Sequence, residues 1–489
     1  MERLEQIITA SLKKRAAENA VWWEGTWLTG ADILDMAEKD RATLEAAGFK
    51  EGQRLMTLLP NCPALLALAI ATWSLKGTLI PMNMRAGVDN LLPTIDLVQP
   101  FAIVVGRDDT KAAAGVLRYP VVETDVAGTV DAFRGVERKT TTSDWAIFFT
   151  TSGTTGMPKA VPLTHANFIA NVAAVRAHIG LYDTDTMLWV LPNFHSFGFT
   201  LGVLVPQLVG AKVTVVGGFM PPLKVLQAIQ ASGTNVLFLV PAMVEFLKRS
   251  AAHNPFTFKN IRLIATGGDR LNTALDQAAI DVFGCGILEG YGTTECSPVV
   301  SVNPSYESRK IGTIGTILPT YEWKVCDSKG NKVPPETPGV LMLRGPSVFH
   351  GYYEAPEVTA ERLHADGWYD TGDVVKYDAD GYITVLDRLT DIIIVGGFNV
   401  YPQEVERILN AHPAVAQAAV VSMHHIVNGE IPRAFIVLKE GASVTDRDII
   451  EYCKGKLANY KVPRKVDFVT ELPMSANGKI LRRKLREIE

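Results

Sequence analysis

Short runs of β-branched and aliphatic residues recur along most of the chain, separated by stretches whose apolar positions fall at helical spacing. Arg54 to Leu59 and Ala102 to Val105 read as strands, with the continuously apolar Pro63 to Leu75 between them as a buried helix. Further strands are expected at Ala146 to Phe149, Val213 to Val216, Val236 to Val240 and Ile261 to Ala265. The Pro221-Pro222 pair precedes one helix and Pro241 opens another, at positions where a missing N–H costs little. Strands alternating with helices predict α/β layers with parallel sheet pairing.

Near residue 388 the grammar changes. A strand at Gly381 to Leu386 is interrupted by the charged pentapeptide Asp387-Arg388-Leu389-Thr390-Asp391, and Ile392 to Val395 resumes it up to Gly396-Gly397. Pro402 opens a helix through Leu409. Strands then follow at Val415 to Val421, Ala434 to Leu438 and Val466 to Val469, with a helix near Asp446 to Leu457. The expected architecture is a large α/β domain over residues 1–388 and a small α+β domain over 389–489. A charged junction, rather than a Gly/Ser linker, suits a hinge between domains that stay in register.

Composition narrows the class. Lys and Arg number 48 against 52 Asp and Glu, a net charge of −4 that gives no global reason to expect nucleic acid as partner. The start, Met1-Glu2-Arg3-Leu4-Glu5, lacks the pattern of a secretory signal, and Pro63 to Leu75 is too short to span a membrane. A soluble, cytoplasmic protein is expected. Cys62, Cys285, Cys296, Cys326 and Cys453 are odd in number and widely spaced, so they read as core or incidental thiols.

Four stretches carry chemistry. The first, Thr150-Thr151-Ser152-Gly153-Thr154-Thr155-Gly156-Met157-Pro158-Lys159, leaves the end of an apolar strand. Its glycines let backbone N–H groups face outward, its hydroxyls donate, and Lys159 adds positive charge, which together suit a polyphosphate. It is not a Walker A loop, because Lys159 is followed by Ala160. The second, Glu289-Gly290-Tyr291-Gly292-Thr293-Thr294-Glu295, sets a tyrosine between glycines where its ring can stack on a flat ligand. There Glu295 offers a hard oxygen for Mg²⁺ beside a phosphate. In the third, Tyr369-Asp370-Thr371-Gly372-Asp373, the last carboxylate could accept both hydroxyls of a ribose. The fourth is Pro473-Met474-Ser475-Ala476-Asn477-Gly478-Lys479, where the lysine follows an Asn-Gly turn at the mouth of a basic helix. Taken singly, the last three also fit ordinary turns and a solvated chain end.

Together, in this order, the four stretches resemble the adenylate-forming superfamily of acyl-CoA synthetases, peptide-synthetase adenylation domains and luciferases. The resemblance implies a large multi-layer N-terminal domain that binds ATP and a carboxylic acid. It also implies a small mobile C-terminal lid that rotates between two half-reactions. The first makes an acyl adenylate and pyrophosphate; the second passes the acyl group to an acceptor, usually a thiol. Thr151, Ser152, Gly153, Thr154, Thr155, Gly156 and Lys159 would then form the phosphate loop. Gly290 and Tyr291 would lie against the adenine, Thr294 would contact the α-phosphate, and Glu295 would hold Mg²⁺. Asp373 would bind the ribose with Arg388 nearby, and Lys479 would bridge the attacking carboxylate and the α-phosphate. Gly396 and Gly397 resemble the loop lining the pantetheine tunnel in CoA ligases, where two residues without Cβ atoms admit a thin thiol arm. One departure concerns the pivot: the family commonly places Asp or Lys two residues beyond the arginine, where this chain has Thr390.

His195, in Leu191-Pro192-Asn193-Phe194-His195-Ser196-Phe197-Gly198-Phe199, matches the segment that gates the acyl pocket, with Phe197, Phe199, Val203, Leu237 and Phe238 as apolar neighbours. No Asp stands near Phe238-Leu239-Val240-Pro241 to greet an amino group, which argues against an amino-acid substrate. The stretch Ile287 to Leu318 is similar to fatty-acid-activating members and favours a medium or long aliphatic acid, although an aryl acid fits the same lining. CoA is the expected acceptor. An acyl carrier protein, docked on the basic face from Lys479 to Arg486, or an amine is the alternative. A monomer or homodimer is expected. The remote alternatives are an inactive acyl- or nucleotide-binding homologue and a dinucleotide oxidoreductase, and no GxGxxG follows an early strand to support the latter.

Overall fold

The apolar run at 63–75 forms the helix Pro63–Ser74, started by its proline and buried on every side. A helix that is hydrophobic all round has no solvent face to present. Its polar side chains are all satisfied: the Thr72 and Ser74 hydroxyls donate to the Leu68 and Ile70 carbonyls within the helix, and the Trp73 indole N–H donates to the Ala146 carbonyl at 2.8 Å. The structure is a computed structural model. It describes residues 2–488 except 84, 86, 108–118, 139, 141–143, 153–157, 254, 255, 257, 259, 270, 272, 427, 428 and 475–479, with backbone alone at 88–90, 151, 152 and 158.

The chain forms two compact units, Met1–Trp323 with Leu343–Tyr369, and Lys324–Met342 with Asp370–Glu489. The division by compactness therefore falls elsewhere than the hinge expected after Arg388, which is a statement about motion rather than packing. In the first unit a six-stranded sheet runs in the order Val121–Thr124, Ala102–Gly106, Arg54–Leu58, Thr78–Pro81, Trp145–Ser152, Pro158–Thr164. Every neighbour is parallel except the last pair. A nine-stranded sheet carries the parallel series Asn19–Trp23, Lys212–Val215, Thr186–Trp189, Val236–Leu239, Leu263–Thr266, Leu288–Gly292. Antiparallel strands close both edges, Thr26–Thr29 beside Asn19–Trp23 and Val299–Val302 with Thr316–Ile317 at the other end. The expected strands and proline-started helices are present to within one or two residues at most ends.

The second unit holds the antiparallel hairpin Tyr369–Tyr377 with Ile383–Arg388, part of a four-stranded sheet. Its other sheet sets Phe398–Val400, Ile393–Val395, Gly429–Leu438 and Val415–His425 side by side, with Lys465–Phe468 parallel to Gly429–Leu438. The helix Pro402–Asn410 packs Val405 and Leu409 into this core. All five cysteines are free thiols and four are buried, as expected of core residues.

One buried charge stands out in the first unit. Asp40, on the helix Gly30–Ala46, is fully enclosed; its Oδ1 accepts the Val130 N–H at 2.8 Å, while Oδ2 has no partner. Burial pushes its carboxyl up to about 7. The folded state then holds this proton more tightly than the unfolded chain, so stability falls as pH rises from about 4 to about 7 and is level above. Asp40→Asn keeps the acceptor and cannot ionise. It is expected to be more stable than wild type by about 1–3 kcal/mol near pH 8, with no advantage near pH 5. Urea unfolding of both proteins at the two pH values checks this; a difference that does not change with pH refutes it.

Candidate active site

The stretch expected to bind phosphate follows the strand Trp145–Ser152, which pairs parallel with Thr78–Pro81 next to the edge of its sheet. Ligands of open α/β sheets gather at the carboxyl ends of such strands. The strand Trp145–Ser152 does not simply run out into a loop, as the sequence led us to expect. It continues through Ser152 and pairs antiparallel with Pro158–Thr164, so that Thr151 opposes Lys159 and Ser152 opposes Pro158. The expected anion cradle is thus flanked by two paired strands; Gly153, Thr154, Thr155 and Gly156 lie outside the described residues. Thr164 then caps the helix His165–Ile179, its hydroxyl accepting the Asn167 N–H at 3.1 Å while the Asn167 amide oxygen accepts the Thr164 N–H.

That helix fixes the second stretch. The Asn171 side chain donates to the carbonyls of Cys296 and Val299 at 3.1 and 2.7 Å, and the Tyr321 hydroxyl donates to the same Cys296 carbonyl at 2.6 Å. The turn Thr294–Cys296 is therefore anchored from outside. Glycine is required on both sides of Tyr291 by backbone approach: a Cβ on Gly290 would lie 2.9 Å from the Ser301 carbonyl oxygen, and one on Gly292 2.2 Å from that of Pro298. Tyr291 itself is half-buried at the end of its strand. The Thr294 hydroxyl is 3.0 Å from that of Ser196, and the Glu295 carbonyl accepts the Phe349 N–H at 2.7 Å.

Tyr352 was not singled out by sequence, yet it touches two expected site residues. Its hydroxyl donates to Glu295 Oε1 at 2.8 Å, and the Lys159 ammonium lies 5.2 Å from its ring centre. The only local signal is an aromatic pair, Tyr352-Tyr353, following Gly351. His195 begins a short helical turn and is half-buried. Its Nδ1 accepts the Phe197 N–H at 3.2 Å, so the neutral ring carries its proton on Nε2. Phe199, Val203, Leu237 and Phe238 are fully buried core residues, whereas Phe197 is half-buried, its ring against Gly267.

In the second unit the hairpin register sets Asp373 opposite Arg388, and their side chains form an ion pair at 2.7 Å. Asp373 is buried and Arg388 half-exposed. Asp387 accepts the Gln403 N–H at 2.9 Å, and burial raises its carboxyl. Asp391, in the turn Leu389–Asp391, pairs with Arg482 and Arg486 of the C-terminal helix, and Arg482 also grips Glu406 at 2.7 and 3.0 Å. Burial pushes Glu406 up to about 7 despite that arginine. Gly396 and Gly397, at φ +56° and +89°, form a two-residue turn closed by the Val395–Phe398 pair. Such a turn needs positive φ at both positions, so the glycines are accounted for by the hairpin alone. Lys479 lies outside the described residues, which resume with Ile480 paired to Met474 and the Leu481 N–H donating to Pro473.

Among the described residues no three His, Cys, Asp or Glu side chains gather to hold a metal, and no helix is long and apolar enough to cross a membrane. Glu295 still fits Mg²⁺, which is typically held by one or two carboxylates together with substrate phosphates.

Two large, mostly parallel sheets, the paired strands Trp145–Ser152 and Pro158–Thr164 with a nearby turn bearing hydroxyl and carboxylate, and a small C-terminal α+β unit define the fold of adenylate-forming enzymes. The same arrangement covers 99% of both chains in ATP-bound MatB from Rhodopseudomonas palustris, at a TM-score of 0.87 and 27% identity. The chain belongs to the AMP-binding enzyme family: the family model matches residues 8–353, and that of the AMP-binding enzyme C-terminal domain matches 404–479. Among curated relatives it is 31% identical to a feruloyl-CoA synthase of Amycolatopsis sp, over 96% of this chain and 95% of the relative. It is 30% identical to a long-chain-fatty-acid–CoA ligase of Bacillus subtilis, over 99% and 94%.

Proposed function

We propose that the protein activates a carboxylic acid as an acyl adenylate, releasing pyrophosphate, and then transfers the acyl group to CoA. The observation that carries this reading is the meeting of Lys159, Tyr352 and Glu295, which joins the phosphate hairpin to the turn after Tyr291. The preferred acid is a medium- or long-chain fatty acid. An aryl acid is the second reading, favoured by the likeness to the feruloyl-CoA synthase.

In this reading the Thr151–Lys159 hairpin holds the β- and γ-phosphates, and Tyr291 lies against the adenine. Thr294 touches the α-phosphate, and the half-buried His195 stands beside the acid's carboxylate. Mg²⁺, held by Glu295 and the phosphates, supplies charge neutralisation. The acid needs no general base, being ionised at neutral pH. Its oxygen attacks the α-phosphorus in line with departing pyrophosphate, and Lys479 neutralises the two anions as they meet. A pivot near Thr390 then turns residues 389–489, exchanging Lys479 for the Gly396-Gly397 hairpin at the acyl adenylate.

Asp373 would receive the ribose hydroxyls, in a place where its carboxylate now holds Arg388. Asp373→Ala is expected to raise KM for ATP by about 10–100-fold with a smaller effect on kcat. Exchange kinetics against ATP concentration check this, and an unchanged KM removes Asp373 from the nucleotide site.

The reaction itself is tested by ATP–pyrophosphate exchange against a panel of aliphatic and aryl acids. The best acid is then offered CoA, holo acyl carrier protein and simple amines, with products weighed by mass spectrometry. Exchange with a C8–C18 acid and formation of its CoA ester is the expected result. No exchange with any acid overturns the enzyme reading, and a product only with carrier protein or amine replaces the acceptor.

A further inference from the structure

We propose that Tyr352 is a positioning residue that keeps the Glu295 carboxylate and the Lys159 ammonium apart and ready for a metal–nucleotide. The inference rests on the functional reading above. Glu295 and Lys159 carry opposite charges and share one neighbour, yet among the described residues no ion pair joins them. Tyr352 serves each with a neutral group instead. Its hydroxyl donates to Glu295 Oε1 at 2.8 Å, and the Lys159 ammonium lies 5.2 Å from the ring centroid. A direct ion pair would cancel both charges and would have to be broken before either could meet a ligand. A phenol hydrogen bond and a cation–π contact hold the same two groups without setting either charge against the other.

The geometry also selects which oxygen of Glu295 is offered. With Oε1 occupied, Oε2 is left without a hydrogen bond among the described residues, which presents one oxygen to a cation. The phenol is itself well fixed. The Tyr352 N–H donates to the Thr359 hydroxyl at 2.9 Å, and its ring meets Phe349 edge-on at 4.9 Å. The fully buried Phe349 in turn donates its N–H to the Glu295 carbonyl at 2.7 Å. One short segment thus grips the main chain and the side chain of the same glutamate. The adjacent Tyr353 faces elsewhere, with its hydroxyl 3.0 Å from Arg54 and its ring against Trp145 and Phe148.

The test is calorimetric titration of the full-length protein with ATP, once with Mg²⁺ and once with EDTA, for wild type, Tyr352→Phe, Glu295→Gln and the double variant. Tyr352→Phe keeps the ring, so the Lys159 and Phe349 contacts persist while the bond to Glu295 is lost. We expect it to weaken Mg·ATP binding about tenfold while metal-free ATP stays within about twofold, as loss of a partner behind a metal ligand commonly does. In the Glu295→Gln background the same change should have no further effect. Tyr353→Phe, which loses a contact to Arg54, should lower thermal stability without altering the ratio of the two ATP affinities. Equal weakening of both ATP forms by Tyr352→Phe, no weakening of either, or a full effect in the Glu295→Gln background overturns the inference. A wild-type protein that binds neither form of ATP overturns the functional reading along with it.

Discussion

Replacing Lys479 with Ala is expected to lower acid-dependent ATP–pyrophosphate exchange by about 10²–10³-fold, the usual consequence of losing one donor aimed at developing charge. The physical reason lies in the first half-reaction. A carboxylate must approach a phosphate that already carries negative charge, and the repulsion peaks at the transition state. A cation that bridges the two anions stabilises that state more than the separated reactants, so kcat should fall more than KM rises. Thioester formation from preformed acyl adenylate and CoA brings a thiol to a carbonyl and has no such meeting of anions. That step should stay within about threefold of wild type. Equal loss of both half-reactions would refute the assignment of Lys479 to adenylation and with it the rotation of residues 389–489.

Gly397→Val should do the opposite, slowing transfer to CoA by about 10²-fold while exchange remains within about threefold. Gly397 sits at φ +89°, a conformation that a β-branched residue adopts only under strain. In this structure a Cβ there meets nothing within 4 Å, so the folded unit has room for the side chain. The cost falls where the hairpin tip must lie against a thiol arm, and there added volume displaces the reacting sulfur. Single-turnover transfer of preformed adenylate measures the loss. An intact transfer rate would mean that these glycines serve their two-residue turn and nothing more.

Much of this molecule was legible before its structure. Where apolar runs were read as strands, most ends fell within a residue or two, because both large sheets are mostly parallel and buried on both faces, leaving near-continuous hydrophobic segments. Strands such as Thr78–Pro81 and Thr186–Trp189 went unread. Proline at 63, 222, 241 and 402 marked helix starts directly. The stretch read as a phosphate loop was not legible as paired strands, since its hydroxyl-rich sequence hides a strand that continues to Ser152. Tyr352 could not be found, because its bond to Glu295 joins residues 57 apart and nothing local marks it. The Asp373–Arg388 pair was half legible: both residues were candidates, but their contact depends on a hairpin register that spacing alone does not fix. Glycines were the least transparent. Those at 290, 292, 396 and 397 suggested room for ligands, whereas strand approach and turn geometry account for them without any ligand.

The arginines at 482 and 486 give the end of the second unit a mechanical character. They tie the C-terminal helix to Asp391, just beyond the expected pivot, while Arg482 also reaches Glu406 on the helix Pro402–Asn410. Pivot turn, first helix and last helix are therefore corners of one braced triangle. For the rotation proposed above, a torque at Leu389–Asp391 reaches the helix Arg482–Arg486 directly. In that rotation the second unit would act as a lever with a single angle to set, and the helix Arg482–Arg486 would be its strut.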